Sequence, residues 1–142
     1  MNPDIRVPRP DRIQIGCDVH SVQNVRQSIE VFGSRYLDTV FTAREQRECG
    51  YSAERLAGRY AAKEAVLKAL KAPADIPVPW SNIEIHADAV GAPIVTLSGP
   101  IEAFARAQGF GIIEVTLSHE AGVALAFAAA HTAAWDLEMT AA

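Results

Sequence analysis

The longest helical pattern in the sequence is SAERLAGRYAAKEAVLKAL, residues 52–70. It is rich in strong helix formers, and Pro73 follows soon after its end. One stripe of the predicted helix is apolar and consists of Leu56, Tyr60, Leu67 and Leu70. A neighbouring stripe holds small and charged residues, namely Ala57, Ala61, Glu64 and Lys68. Because small side chains let another element approach Glu64 closely, we expect this helix to pack across a sheet.

The residues before this helix predict one strand and two shorter helices. Residues 12–17 alternate between apolar and polar positions, which is typical of a strand, and Asp18 follows at its end. Apolar residues recur at spacings of three and four over residues 21–32, as on one face of a helix. Thr42 and Glu45 match a capping box, which marks the start of another short helix.

The residues after the long helix predict two hairpins separated by a short helix. Residues 83–86 and 94–97 alternate like paired strands around a turn that contains Gly and Pro. A short helix is predicted within residues 98–109. Residues 113–117 and 123–127 alternate again. These elements predict an α+β fold with a mostly antiparallel sheet and the long helix packed on it.

The chain has 142 residues, which predicts a single domain. Residues 1–11 contain three prolines and no periodicity, so we expect an irregular N-terminal arm. The domain itself is expected to span residues 12–130. Residues 131–142 are rich in alanine and have no clear pattern, so we expect a C-terminal tail.

Composition predicts a globular protein of the cytoplasm. The sequence is 49% hydrophobic and 21% charged, which provides enough apolar side chains for a core. The longest apolar stretch, residues 121–130, is shorter than the ~20 residues of a membrane-spanning helix, and no leader pattern opens the chain. We therefore expect no membrane association. Cys17 and Cys49 are too few for a disulfide framework, so both are expected to be reduced.

Charge is distributed unevenly along the chain. The net charge of −4 argues against nucleic acid as a partner, because duplex binding favours a basic surface. Residues 1–71 hold twelve Lys and Arg against nine acidic residues, whereas residues 72–142 hold one basic residue against eight acidic ones. The first half could therefore receive an acidic partner or a phosphorylated ligand. The alternative is that this asymmetry has no function.

Three short stretches carry a resemblance to a known family. They are Gly16-Cys17-Asp18, residues 56–70 within the helical pattern, and Val115-Thr116-Leu117-Ser118-His119-Glu120. In this order and at this approximate spacing they resemble the holo-acyl-carrier-protein synthase family of 4′-phosphopantetheinyl transferases. The resemblance covers about residues 12–130 and is most specific in the central helix.

The resemblance implies an enzyme that transfers phosphopantetheine from coenzyme A to a serine of an acidic acyl carrier protein, releasing adenosine 3′,5′-bisphosphate. It also implies a homotrimer with active sites between neighbouring subunits. The alternative is a non-catalytic module of the same fold that binds coenzyme A or the carrier. Retention of Asp18, Glu64 and Lys68 together favours the enzyme.

The resemblance gives catalytic roles to Asp18, Glu64 and Lys68. Asp18 and Glu64 match the family's metal ligands, and Mg²⁺ prefers carboxylate, water and phosphate oxygens. Lys68 matches the residue that faces the pyrophosphate. Without the resemblance, these residues would be interpreted as a surface aspartate and a helical ion pair between Glu64 and Lys68. The general base stays open among Asp18, Glu64 and a metal-bound water.

Four further residues are candidates for binding the substrate. Arg59 and Lys63 lie on or beside the same helix as Lys68 and could pair with phosphate oxygens, or could be solvated cations. Ser118 and His119 match a Ser/Thr-His pair that lies near the bound coenzyme in the family, here at the tip of the last hairpin. Outside this motif, a lone histidine in a turn is usually exposed.

The sequence departs from the family pattern at three positions. Ser21 stands where members usually have an acidic residue, which affects the surroundings of the metal. Asn24 stands where relatives have a basic residue that contacts the carrier, and Ala92 replaces a lysine in the middle hairpin. The carrier is nevertheless expected to bind the basic first half, through Arg26, Arg35, Arg44 and Arg47.

The remaining chemically notable residues are expected to be structural. His20, His86 and His131 match no recurrent family position and no metal-binding spacing. Cys17 lies in an apolar strand without a histidine at a defined spacing, so we expect a core residue. Gly58 belongs to no phosphate loop and is expected to permit tight helix packing.

Overall fold

The computed structural model describes residues 12–77 and 79–132. The predicted arm, residues 1–11, and residues 133–142 of the predicted tail lie outside the described residues. In chain order the elements are β1 (Ile13–Ser21), α1 (Val22–Phe32), α2 (Ser34–Val40), α3 (Ala43–Cys49), α4 (Ala53–Leu70), a 3₁₀ turn (Trp80–Asn82), β2 (Ile83–Ala87), β3 (Pro93–Leu97), α5 (Gly99–Ala107), β4 (Phe110–Glu120) and β5 (Val123–Thr132).

The strands form two antiparallel sheets. Strand β5 lies between β1 and β4 in a three-stranded sheet, and β2 pairs with β3 in a separate hairpin. Both predicted hairpins are therefore present, and every pairing among the described strands is antiparallel. The predicted α+β class is confirmed.

Helix α4 packs closely against one face of the three-stranded sheet, which we call the inner face. On β1, Gly16 is buried against α4, because a Cβ at this position would overlap the backbone of Ala65 and Ala69. Its cross-strand partner is Ala128, and residues paired across a sheet share a face. The buried inner-face residues of β5 are all alanine, namely Ala124, Ala126, Ala128 and Ala130. Small side chains on both surfaces thus allow the close approach.

The opposite side of α4 is anchored by a buried ion pair. Lys63 precedes Ala65 by two residues, roughly 200° around the helix, and both Lys63 and Glu45 are fully buried. Nζ of Lys63 donates to Oε1 of Glu45 at 2.7 Å and to the carbonyl oxygen of Trp80 at 3.0 Å. The Glu45 carboxylate also accepts from the backbone N–H groups of Thr42 and Ile85. One carboxylate therefore links α3, α4 and β2.

Strand β1 is longer than predicted, which changes the position of Asp18. Its pairing with β5 continues through Ser21 opposite Val123, so Asp18 lies inside the strand and not at its end. The hydrophobic alternation stops earlier because Asp18 and His20 occupy two inner-face positions. Ser21 ends the strand and caps α1, where its Oγ accepts from the backbone N–H of Asn24 at 3.3 Å.

The other predicted helices are present, and one helix was not predicted. The capping box of Thr42 and Glu45 begins α3, and Ser52 caps α4. Helix α2, which buries Leu37 and Val40, falls where no element was expected. It has seven residues, too few for its helical spacing to stand out from the preceding pattern.

The last hairpin extends further than its alternation predicts. Strand β4 continues to Glu120, so His119 lies within the strand and not at the hairpin tip. Strand β5 continues to Thr132, two residues beyond the expected domain boundary. Backbone pairing therefore persists at both ends after the apolar alternation has stopped.

The described residues contain neither a membrane-spanning helix nor a disulfide. No described helix has the length and apolar character needed to cross a membrane. The apolar stretch of residues 121–130 forms the turn after β4 and most of β5. Cys17 and Cys49 are free thiols. Cys49 is buried, whereas Cys17 is only half-buried and, by strand alternation, faces away from α4, so the expectation of a core position for Cys17 is wrong.

Replacing Lys63 by Met should strongly destabilise the fold. The variant leaves the Glu45 carboxylate buried without its cation, and breaking a buried pair in this way costs about 3–5 kcal/mol in free energy of unfolding. The double variant Lys63→Met/Glu45→Gln should recover part of this loss, because a neutral amide is easier to bury. Urea unfolding at one protein concentration measures both effects. A double variant no more stable than Lys63→Met would contradict the assigned role of the pair.

Candidate active site

Asp18 and Lys68 meet where β1 crosses α4. Nζ of Lys68 donates to Oδ1 of Asp18 and to the carbonyl oxygen of Cys17, both at 3.0 Å. The hydrogen bond and charge of Asp18 raise the pKa of Lys68. The Asp18 side chain is 15% exposed and that of Lys68 is 53% exposed. The ammonium group therefore has open surface on which an anionic ligand can also bind.

Glu64 lies one helical turn before Lys68 and shares its surroundings. The hydroxyl of Tyr60 donates to Oε1 of Glu64 at 3.2 Å. The charges of Glu64 and Asp18 both act on His20, Tyr60 and Lys68, so the two carboxylates lie in one electrostatic neighbourhood. The fold thus brings together the three residues predicted to be catalytic.

Aromatic rings form one wall of this neighbourhood. The Tyr60 ring lies 4.3 Å from the His20 ring and 5.4 Å from the Trp80 ring, measured between centroids. Burial and the nearby Glu64 raise the pKa of Tyr60 to about 12. Burial lowers the pKa of His20, although Asp18 and Glu64 act in the opposite direction. The hydroxyl of Tyr60 is therefore a protonated donor at neutral pH.

Neither Tyr60 nor His20 was predicted to be a site residue. Tyr60 belongs to the apolar stripe of α4, but it also precedes Glu64 by four residues, which places the two side chains together on a helix. His20 lies two residues after Asp18 and therefore on the same strand face. The sequence therefore held a signal for each residue, but the signal for His20 depends on β1 extending to Ser21.

The carboxylates of Asp18 and Glu64 suit a magnesium ion whose remaining ligands come from water and a phosphate-containing substrate. Among residues 12–77 and 79–132, no three His, Cys, Asp or Glu side chains are grouped as a complete protein site for a metal. Mg²⁺ is commonly bound by one or two carboxylates, with water and phosphate oxygens completing its coordination. Asp18 and Glu64 therefore provide a suitable but partial set of ligands.

His119 lies on the inner face of β4, directly against Gly58 of α4. A Cβ at Gly58 would lie 2.6 Å from Nε2 and 3.0 Å from Cε1 of His119. Nε2 is buried and has no hydrogen-bond partner among the described residues. Gly58 therefore makes room for the imidazole ring. Ser118 is exposed on the opposite sheet face, so the predicted Ser-His pair is divided between the two faces.

A cleft of about 280 Å³ lies beside His119. It is bordered by the first turns of α1 and α4 and by the β4–β5 turn, and its lining includes Arg26, Glu54 and Glu120. Arg26 is exposed, and its guanidinium donates to Oε1 of Gln23 at 2.9 Å. One candidate carrier contact and one candidate coenzyme contact therefore border the same cleft.

The two other predicted phosphate contacts face α3. Lys63 is fully buried in its ion pair with Glu45, so the expectation that it contacts substrate is wrong: helix geometry turns it away from Asp18 and Lys68. Arg59 is 14% exposed, and its Nη2 lies 3.3 Å from Oε2 of Glu48. A phosphate contact by Arg59 stays a prediction.

The remaining arginines proposed for carrier binding are exposed on α2 and α3. Arg35 and Arg47 are exposed. The Arg44 side chain is 47% exposed and forms ion pairs with Glu48 at 3.2 Å and Glu84 at 3.8 Å. Arg44 is therefore partly neutralised, whereas no ion pair is formed by Arg35 or Arg47 with the described residues.

Comparison with known proteins gives relatives over most of the chain. The family profile described as the 4′-phosphopantetheinyl transferase superfamily matches residues 14–128. A holo-[acyl-carrier-protein] synthase of Herpetosiphon aurantiacus is 35% identical over 119 residues, covering 79% of this chain and 93% of that protein. The synthase of Protochlamydia amoebophila is 41% identical over 87 residues, covering 59% and 71%.

The fold is also similar to solved structures. The structure of Helicobacter pylori holo-[acyl-carrier-protein] synthase in complex with coenzyme A has a TM-score of 0.74 and 26% sequence identity, and the match covers 82% of this chain and 98% of that one. The family match includes all three stretches that carried the resemblance. The predicted family is confirmed: this chain belongs to the 4′-phosphopantetheinyl transferase superfamily and, within it, to the holo-[acyl-carrier-protein] synthase family.

Proposed function

We propose that this protein transfers the 4′-phosphopantetheine group of coenzyme A to a serine hydroxyl of an apo acyl carrier protein. The observation that carries this proposal is the ion pair between Asp18 and Lys68, one helical turn from Glu64, in a chain of this family. A non-catalytic module of the same fold is not favoured, because it would not require these three groups to converge.

The reaction is a displacement at phosphorus. The serine oxygen forms a bond to the β-phosphorus of coenzyme A, and the bond from this phosphorus to the bridging oxygen breaks. Adenosine 3′,5′-bisphosphate leaves with the electron pair of that bond. The serine proton passes to a general base, for which Asp18 and Glu64 are candidates in this chain.

Asp18 and Glu64 would hold Mg²⁺, which supplies charge neutralisation at the pyrophosphate oxygens. Lys68 is positioned to contact the same oxygens, because its half-exposed ammonium already pairs with Asp18 at 3.0 Å. As a point charge with three donors it can keep this bond and donate to phosphate as well. Lys68 therefore neutralises charge and orients the pyrophosphate.

His119 is proposed to bind coenzyme A at the cleft that it lines. Close contact with Gly58 holds the imidazole ring of His119 on the inner face of β4. The carrier is proposed to approach over Arg26 on the rim of the same cleft, with Arg35, Arg44 and Arg47 as further positive charges. An acidic carrier would thus present its serine close to the coenzyme.

A homotrimer is proposed from the apolar outer face of the three-stranded sheet, which is the face away from α4. On β1, Ile13, Ile15 and Val19 are 67%, 74% and 58% exposed. On β5, Phe127 is 48% exposed and lies opposite Cys17 of β1. Several large apolar side chains exposed on one sheet face are typical of a protein interface. Further copies of the chain would cover this face in the homotrimer that the family resemblance implies.

Activity should depend on a divalent metal and on the Glu64 carboxylate. Chelation with EDTA should abolish transfer, and added Mg²⁺ should restore it. Glu64→Gln should lower kcat/KM more than about 100-fold, since the metal stabilises transition-state charge by several kcal/mol and each ~1.4 kcal/mol is tenfold in rate. Intact-mass analysis of an apo carrier incubated with coenzyme A measures transfer. Undiminished turnover by a folded Glu64→Gln, with Glu102→Gln as control, would exclude this role.

Two variants should separate coenzyme binding from carrier binding. Gly58→Ala should weaken coenzyme A binding about tenfold, because its methyl group displaces His119, and Gly58→Ala/His119→Ala should lose no more than His119→Ala alone. Arg26→Glu should raise the KM for the carrier, most strongly at low salt, and leave coenzyme A binding unchanged. Calorimetry and steady-state kinetics measure the two effects. Equal effects of both variants on both ligands would contradict the assignment.

Replacing Phe127 by Asp should dissociate the trimer. A charge at this outer-face position would have to be buried between subunits, which is unfavourable without a partner. Light scattering should give three times the 15.3 kDa chain mass for the unmodified protein and a lower mass for the variant. Val90→Asp is the matched control, because Val90 is 88% exposed outside the sheet. A fully active monomer of the unmodified protein would rule out shared sites.

A further inference from the structure

We propose that the hydroxyl group of Tyr60 positions the carboxylate of Glu64 for metal binding. This inference rests on the metal site proposed for Asp18 and Glu64. The hydroxyl donates to Oε1 of Glu64 at 3.2 Å. Oε2 of Glu64 then remains to face a cation, and a hydrogen bond from a neighbouring group restricts rotation of a ligating carboxylate. Tyr60 is thus a positioning residue that does not itself contact the substrate.

The Tyr60 ring contacts two other aromatic rings. His20 of β1 packs at 4.3 Å with the ring planes 38° apart, and Trp80 of the 3₁₀ turn packs at 5.4 Å and 44°. The carbonyl oxygen of Trp80 accepts from the buried ammonium of Lys63 at 3.0 Å. The hydroxyl therefore has a defined position relative to both β1, which carries Asp18, and α4, which carries Glu64.

Packing explains the ring of Tyr60 but not its hydroxyl. A phenylalanine would make the same contacts with His20 and Trp80 and would introduce no polar atom to satisfy. Within residues 12–77 and 79–132, the Tyr60 hydroxyl forms one hydrogen bond, and its acceptor is Glu64. Holding the Glu64 carboxylate therefore accounts for the hydroxyl, which packing does not explain.

Tyr60→Phe tests the inference because it removes one oxygen and keeps the ring. Mn²⁺ binding, followed by electron paramagnetic resonance in the presence of coenzyme A, should weaken about tenfold, as for other groups that support metal ligands. The Mg²⁺ concentration for half-maximal activity should rise by a similar factor, and kcat at saturating Mg²⁺ should return close to the unmodified value. Coenzyme A affinity in EDTA and the melting temperature should not change. Tyr51→Phe, at a 64% exposed tyrosine, is the matched control.

The outcomes distinguish this inference from the metal site on which it rests. If the unmodified protein binds Mn²⁺ and Tyr60→Phe binds it equally well, the positioning role is overturned while the metal site stands. If the unmodified protein binds no Mn²⁺, both are overturned. If Tyr60→Phe lowers the melting temperature and weakens coenzyme A binding in EDTA to the same extent as Mn²⁺ binding, the hydroxyl supports the fold and the inference fails.

Discussion

The close approach of α4 to the three-stranded sheet determines where the site residues lie. Gly16 has no room for a Cβ beside the α4 backbone, and the inner face of β5 is formed by alanines. A larger side chain at Gly16 would push β1 away from α4. Lys68 could then not reach Asp18 and the carbonyl oxygen of Cys17 at 3.0 Å. The close packing of the two backbones therefore also sets the distance between Asp18 and Lys68, the proposed catalytic residues.

The other side of α4 packs against α3 and β2, away from the site formed by Asp18, Glu64 and Lys68. The Lys63–Glu45 pair does this with hydrogen bonds to backbone groups of two further segments. A buried pair is costly to form, but it accepts only one arrangement of its partners, since any shift leaves a charge unsatisfied. Helix α4 thus packs closely against the sheet through small residues on one side. On its other side a buried ion pair holds it against α3 and β2.

The site combines fixed and exposed groups. Tyr60 contacts the rings of His20 and Trp80 and donates to Glu64, so one carboxylate is hydrogen-bonded before any ligand binds. Lys68 is half-exposed, so in the proposed function it can share its contact with Asp18 when phosphate binds. This division is suited to phosphoryl transfer, in which the protein mainly positions groups and neutralises charge.

The sequence alone determined features that depend on neighbours along the chain. These include the extent of α4, the capping box that begins α3, the alternating strands of both hairpins and the three motifs that identify the family. Tertiary structure decided which way individual side chains face. Lys63 and Lys68 look alike on a helical pattern, but packing buries the first with Glu45 and leaves the second beside Asp18. Pairing with β5 likewise carries β1 past Asp18 to Ser21, because hydrogen bonds between strands do not depend on hydrophobic alternation.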